Sequence, residues 1–298
     1  MGDLSADTEV KGSDGRYRAE LSRDWEIWGP NGGYLVGILL RAAGAHCGLP
    51  RPVSIACHFL GVADFRPVDL EVVTLRQGRR SASMRVSMTQ DGSPVCEALV
   101  WAAAEAEPIE GFGHDDAAGP DVPGVDGLAD LRELLAEGEP LYRFWENFDY
   151  RPLDWMTQEE WLAREPGAPR ARAWLRYRPR ATFDDPWVEA TRTALLLDTF
   201  MWPAAARAYT GEMGFMAPSM DVAVQFHRLD PSAEWLLIDA HAPLGSDGLI
   251  GGVSYVWSED GRLLASGIQQ MLVRGTPAPR PEPVEPPAGD EAAAASPG

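Results

Sequence analysis

The sequence predicts an α+β protein built from two tandem copies of one unit, each a long helix wrapped by an antiparallel sheet. Three observations carry that expectation. The order strand, apolar helix, four strands occurs twice along the 298 residues. Each copy reaches an Asp-Gly hairpin signal at nearly the same spacing, 32 positions from Phe59 to Asp91 and 34 from Phe226 to Asp260. Between the copies runs an acidic stretch with scattered Gly and Pro. The chain therefore divides into a first unit over 1–104, a linker over 105–138, a second unit over 139–275 and a tail over 276–298.

The elements follow in order. Tyr17–Leu21 is a strand candidate, and Gly33–Ala45 is apolar at helical spacing. Val53–Phe59 alternates and is rich in β-branched and apolar residues, and Val68–Leu75 and Ser83–Thr89 extend the sheet. Asp91-Gly92 turns the chain into a last strand over Val95–Ala102. Residues 105–140 hold 11 acids and one base, Arg132, with a short helix expected over Leu128–Leu135. The second unit repeats the first: a strand at Ala173–Tyr177, a helix over Trp187–Tyr209, then strands at Asp221–His227, Trp235–Ala240 and Gly252–Trp257. Asp260-Gly261 leads into the final strand, Leu263–Val273. The tail, with 7 Pro and an Ala run, is expected to be disordered. A five-stranded sheet around one long helix is the hotdog arrangement, so the fold class is a double hotdog.

Composition narrows function. The 26 Lys+Arg against 45 Asp+Glu give a net charge of −19, which argues against a nucleic-acid binder and against a polybasic membrane anchor. No apolar run reaches the length of a membrane span. Three cysteines, Cys47, Cys57 and Cys96, make no disulfide framework and suit a reducing compartment, as does the polar N-terminus, so the expected location is cytoplasmic. Lys11 is the single lysine; the bias to Arg, Ala, Gly and Pro is that of a GC-rich bacterial gene, which codon usage would test. Residues 105–140 and the tail hold −10 and −3 of the charge, leaving −6 for the rest, 24 bases against 30 acids. An anionic ligand is compatible with that remainder.

Several motifs are missing. There is no Gly-x-Ser-x-Gly elbow, no phosphate-binding glycine loop, no Cys-x-x-Cys and no i, i+4 histidine pair, so no metal is expected. The polar residues that could do chemistry stand in unusual places. Asp198 follows three leucines in the second helix; it is either a charge on an outer face or a desolvated base lining a pocket. Gln269 occupies the place that Val100 holds in the first unit, and one of Gln269 and Gln270 must face inward. Ser219 precedes a strand, where turn chemistry is the ordinary role. Asn31, Gly32 and Gly33 open the first helix, either as a plain turn with Asn31 as cap or as a site where backbone N–H groups meet a ligand oxygen. Arg76, Arg79 and Arg80 form a basic hairpin, suited to phosphate or simply solvated.

Four stretches together resemble the bacterial acyl-CoA thioesterase II family, the double-hotdog thioesterases. They are Gly29-Pro-Asn-Gly-Gly-Tyr34-Leu35; Glu71-Val-Val-Thr-Leu-Arg-Gln-Gly-Arg79 with the hairpin from Arg80 to Gly92; Met220-Asp-Val-Ala-Val-Gln-Phe-His227-Arg228; and Asp260-Gly-Arg-Leu-Leu-Ala-Ser-Gly-Ile-Gln269 through Arg274. The resemblance runs from about residue 15 to 274 and leaves out the linker and tail. It implies that an Asp, a Thr or Ser, and a Gln hold the attacking water, and these fall on Asp198, Ser219 and Gln269. Ser219 departs from the usual Thr, keeping the hydroxyl and losing the methyl.

The resemblance further implies hydrolysis of an acyl-CoA to acid and CoA, without cofactor or metal. Asp198 takes the proton, Ser219 and Gln269 position the water, and backbone N–H groups near Gly32 and Gly33, or those of the corresponding helix in the second unit, are candidates for the oxyanion. Asn31, Gly32, Gly33, Arg76, Arg79 and Arg80 are the expected substrate-binding residues. Trp145, Trp155, Trp161 and Trp187 are candidates for narrowing an acyl tunnel or for core packing. The partner is the acyl-CoA, with no nucleic acid and no membrane, and a homo-oligomer, a dimer of double hotdogs, is expected. Two rival readings are a non-hydrolytic acyl-CoA or acyl-carrier-protein binder and a hotdog hydratase or dehydratase. His58 and His227 stand on strands, but the hydratase Asp-x-x-x-x-Asn-x-x-His pattern is missing.

Overall fold

A computed structural model describes residues 1–107, 109–136, 141–211 and 213–275. In chain order the first unit contains α1 (Leu4–Asp7), β1 (Lys11–Ser13), β2 (Arg16–Ala19), α2 (Gly32–His46), β3 (Arg51–Phe59), β4 (Val68–Gln77), β5 (Ser81–Gln90) and β6 (Ser93–Ala103). The linker carries α3 (Leu131–Leu134). The second unit contains β7 (Phe148–Pro152), α4 (Gln158–Ala163), β8 (Arg170–Tyr177), α5 (Pro186–Thr199), α6 (Met201–Ala206), β9 (Phe215–Met216), β10 (Ser219–Phe226), β11 (Trp235–Ser246), β12 (Leu249–Ser258), β13 (Leu263–Leu272) and β14 (Arg274–Gly275).

Twelve of the strands form one antiparallel sheet in the order β1-β2-β4-β5-β6-β3-β10-β13-β12-β11-β8-β7. The order reads the same from both ends once β3 is matched to β10, β6 to β13 and so on outward. The units join through β3 and β10, whose register runs from Asp221 opposite His58 to Gln225 opposite Ser54 and centres on Ala223 opposite Ala56. The chain thus has a pseudo-twofold axis through that alanine pair.

The two long helices lie inside the sheet and against each other. From Trp187 to Thr199 every residue of α5 is buried, and α2 is buried on nearly all sides, as expected of a helix wrapped by sheet and partner helix. Glycines let the helix backbones approach. A Cβ on Gly33 would sit 2.6 Å from Leu195 Cα, one on Gly37 would meet Thr191 Cγ2 at 2.3 Å, and one on Gly44 would meet the Trp187 ring at 2.6 Å. The partners descend as the glycines ascend, so the helices are antiparallel.

Several expectations are corrected here. The second helix is not continuous over Trp187–Tyr209. It stops at Thr199, and Phe200 leads into α6. Pro203 explains the break, since its ring clashes with the carbonyl of Thr199 and it offers no N–H. Two edge strands, β1 and β7, lie outside the sequence pattern. So do two Asp-Gly turns: Asp14-Gly15 (φ 54° and 78°) and Asp247-Gly248 (φ 53° and 77°) match Asp91-Gly92 (φ 50° and 78°). All three have the left-handed pair that a two-residue hairpin needs. At Asp260-Gly261 only the glycine is left-handed.

The described part of the linker lies along the second unit. Val122, Val125 and Leu128 pack on Trp174, Trp235, Leu237 and Trp257. Trp174 Nε1 donates to Pro123 O at 3.0 Å, and Arg228 pairs with Asp115 at 2.7 Å. The acidic count hides these few apolar anchors. The tail expectation falls outside the described residues.

Candidate active site

Three polar side chains from separate elements converge on one another. Asp198 stands near the end of α5, Ser219 begins β10, and Gln269 lies within β13. Gln269 Nε2 donates to Asp198 Oδ1 at 2.7 Å and to Ser219 Oγ at 2.5 Å. Ser219 Oγ donates to the same Oδ1 at 3.1 Å. The other carboxylate oxygen is met from the first unit, where Gly33 N–H donates to Asp198 Oδ2 at 2.7 Å.

A β-bulge aims the serine. Ser219 pairs with Met271 and Asp221 with Gln270, so Met220 is an extra residue on β10. Along β10, Val222, Val224 and Phe226 are buried and face inward. Strict alternation would put Ser219 on the outer face with Asp221. The extra residue turns it inward, onto the face of Met271 and Gln269.

Asp198 is 7% exposed. Burial pushes its carboxyl up to about 6, and the bonds from Ser219, Gly33 and Gln269 pull part of the way back. It is therefore ionised, but only just, near neutral pH. Gln269 Oε1 is buried and has no hydrogen-bond partner among the described residues.

Asp198 and Ser219 line a cavity of about 530 Å³, within the size range of small-molecule sites. Its walls are mostly apolar, with Trp28, Phe59, Trp145, Trp202, Met216 and Met271 contributing. Asn31 and Gly32 line it as well. Asn31 accepts from Tyr34 N–H at 2.9 Å, capping α2, and donates to Thr199 Oγ1 at 3.1 Å. A Cβ on Gly32 would lie 2.7 Å from Asp198 Oδ2 and 2.9 Å from Phe59 Cζ, so a side chain here would push on the carboxylate. Gln269 stands behind Asp198 and Ser219 and is not among the lining residues.

Some expected residues are not at this site. Gly33 N–H is taken by Asp198, which leaves Gly32 N–H as the helix-end donor without a partner among the described residues. Arg76, Arg79 and Arg80 are exposed at the β4–β5 hairpin. That hairpin adjoins the Arg51–Ala103 end of the sheet, whereas Gln269 aligns with the Cys57 end of β3. The arginines are thus far from the cavity both along and across the strands. Of the four tryptophans singled out by sequence, Trp145 alone lines it. Trp187 packs on Gly44, and Trp161 carries the Arg164 guanidinium over its ring. Sequence reasoning missed Trp28, Trp202, Phe59 and Arg274. Their signal was weak, because each becomes a wall residue only once the two units meet.

The pseudo-twofold axis predicts a second site, and it is closed. Asp198 lies thirteen positions after the cap Asp185; thirteen after the cap Asn31 is Gly44. Gln269 maps onto Val100, and Ser219 onto Pro52. No carboxylate, amide or hydroxyl remains there, and the Trp187 ring fills the space over Gly44. Among the described residues no group of three or more His, Cys, Asp or Glu could hold a metal ion. His58 and His227 do not line the cavity.

The sequence profile of the acyl-CoA thioesterase N-terminal domain matches residues 21–103, and that of the acyl-CoA thioesterase C-terminal domain matches residues 116–273. No curated protein matches the chain. Among solved structures, a conserved hot dog-fold protein of unknown function from Alicyclobacillus acidocaldarius superposes with a TM-score of 0.76 at 22% identity, covering 93% of this chain and 99% of that one. An acyl-CoA thioesterase II, TesB2, from Mycobacterium marinum gives 0.72 at 22%, covering 92% and 99%. A tesB protein from Mycobacterium avium subs. paratuberculosis gives 0.72 at 22%, covering 91% and 98%. These likenesses show the fold, a double hotdog.

Proposed function

We propose that this chain, which belongs to the acyl-CoA thioesterase family, hydrolyses acyl-CoA thioesters with Asp198 as general base. The observation that carries this reading is the Asp198 carboxylate, ionised at the wall of an apolar cavity and fixed by three donors from β10, β13 and α2.

The attacking water sits against Asp198 and Ser219. Ser219 Oγ–H donates a hydrogen bond to Asp198 and accepts one from Gln269 Nε2–H, which leaves a lone pair for a hydrogen of the water. As the water oxygen adds to the thioester carbonyl, its proton passes to Asp198. Gln269 is a positioning residue that holds the carboxylate and hydroxyl in register. The negative charge growing on the carbonyl oxygen meets Gly32 N–H at the α2 N-terminus. Collapse of the tetrahedral intermediate breaks the C–S bond, and the proton on Asp198 is available to the departing thiolate. Base catalysis of this kind contributes about 10²–10⁴-fold. The acyl chain lies along the apolar walls.

A panel of acyl-CoAs with a thiol reagent tests the reading. Free CoA should accumulate with turnover for at least one chain length. CoA binding without thiol release across the panel would instead mark a non-hydrolytic acyl-CoA binder.

A further inference from the structure

Arg274 is the one cation among the residues lining the Asp198 cavity. Its guanidinium makes no hydrogen bond or ion pair among the described residues, whereas Arg228 and Arg262 are both held by carboxylates. An unpartnered guanidinium at an otherwise mostly apolar cavity is a ready anion receptor.

The end of the strand places it at the edge of that cavity. Gln269 and Met271 are buried and face inward, so alternation would point residue 274 to the outer face. The strand ends at Leu272, whose N–H donates to Pro218 O at 3.0 Å. Val273 then donates to Gly248 O at 2.8 Å, and Arg274 pairs with Met216, itself a wall residue. Arg274 is itself exposed, so it stands at the solvent edge of the cavity.

Its reach from the reacting centre suits one chemical group. Ser219, at the reacting centre, pairs with Met271, three residues before Arg274; that is at most about 10 Å of backbone, with the long arginine side chain reaching beyond it. A phosphopantetheine arm has two amide units of peptide-like bond dimensions, and extended it spans roughly 15 Å from sulfur to phosphorus. With the thioester at Asp198, such an arm lying along β13 would bring its phosphate to Arg274.

We propose that Arg274 receives the phosphate of a phosphopantetheine arm and so sets the thiol carrier this cavity takes. The proposal rests on the thioester reading of the cavity. It makes the phosphate site independent of the arginine hairpin at Arg76, Arg79 and Arg80, which lies elsewhere on the sheet.

The test is binding rather than turnover. 4′-Phosphopantetheine and pantetheine are titrated by calorimetry into the full chain and into Arg274→Ala, Arg274→Lys and Arg274→Glu. Wild type should bind the phosphorylated arm about 10- to 100-fold more tightly. Arg274→Ala should bring that ratio close to one, Arg274→Lys should keep part of it, and Arg274→Glu should remove it. Melting curves check that each variant is folded, which the absence of partners for Arg274 favours. A wild-type ratio near one, or a ratio unchanged in folded Arg274→Ala, overturns the proposal. CoA and a holo acyl carrier protein, titrated in parallel, tell which carrier presents the arm; either result, if lost in Arg274→Ala, supports the site. Hydrolysis of acyl-CoA is scored separately, so failure of the thioesterase reading is distinguishable from failure of the phosphate site.

Discussion

A carboxylate becomes a useful base near neutral pH only when its surroundings raise its affinity for a proton. At Asp198 burial does so, and three donors keep the rise moderate. The expected consequence is a kcat/KM that climbs through one ionisation near pH 6 and levels above it. A pH–rate profile checks this. The same group leaves a mark on stability. Its folded value lies above its unfolded one, so the favourable contribution is full below about pH 4 and is lost as pH rises through about 6. At pH 8 the buried charge costs about 2–3 kcal/mol, an order-of-magnitude figure. Asp198→Asn should therefore melt several degrees above wild type at pH 8, with the gap closing toward pH 4; differential scanning calorimetry at the two pH values measures it. At this scale much was readable in the sequence. An acid after three leucines is rare enough to notice, and the last strand made one of two glutamines face inward. The aim of Ser219 was not readable, because a bulge at Met220 inverts the face that alternation assigns.

At the scale of elements, the site depends on two helices meeting closely. Gly33 serves twice: it lets α2 approach Leu195, and its N–H holds Asp198. Gly33→Ala would push a Cβ against backbone atoms of Leu195 at 2.6 and 2.8 Å, which a flexible side chain cannot relieve. It should cost about 1–3 kcal/mol of stability and also lower turnover, since the donor to Asp198 shifts. Gly44→Ala meets the Trp187 ring at 2.6 Å, far along the same helix pair. It should cost stability in the same way while leaving kcat close to wild type. Melting curves and steady-state kinetics on the two variants separate helix packing from site geometry. The helix and central-strand cores were legible from apolar periodicity. The break before α6 was missed, although Pro203 marks it, because the apolar run continues on either side. The Gly33, Gly37 and Gly44 crossing was not legible, because nothing local says which helix a glycine face will meet.

The whole molecule is a duplicated unit that has kept one site and closed its counterpart. The first unit supplies Asn31, Gly32 and Gly33, and the second supplies Asp198, Ser219 and Gln269, so neither is complete alone. Where symmetry would place the second site stand Gly44, Val100 and Pro52, and the Trp187 ring lies against Gly44. A non-hydrolysable acyl-CoA thioether should accordingly saturate at one equivalent per chain by calorimetry; two equivalents would show that the counterpart is open. The duplication was legible because strand order and Asp-Gly spacing repeat. The division of labour at the site was not, because it arises only when β3 and β10 join the halves into one sheet. The net charge of −19 gave little guidance to the site, whose cavity carries one acid, one base and mostly apolar walls. Activation of the water by Asp198 is the step on which the proposed hydrolysis depends. It is tested most directly by kcat/KM for acyl-CoA hydrolysis in Asp198→Asn beside wild type, with melting curves recorded on the same samples. The expected result is a folded protein slowed about 10²–10⁴-fold. A folded Asp198→Asn that hydrolyses at the wild-type rate would contradict it.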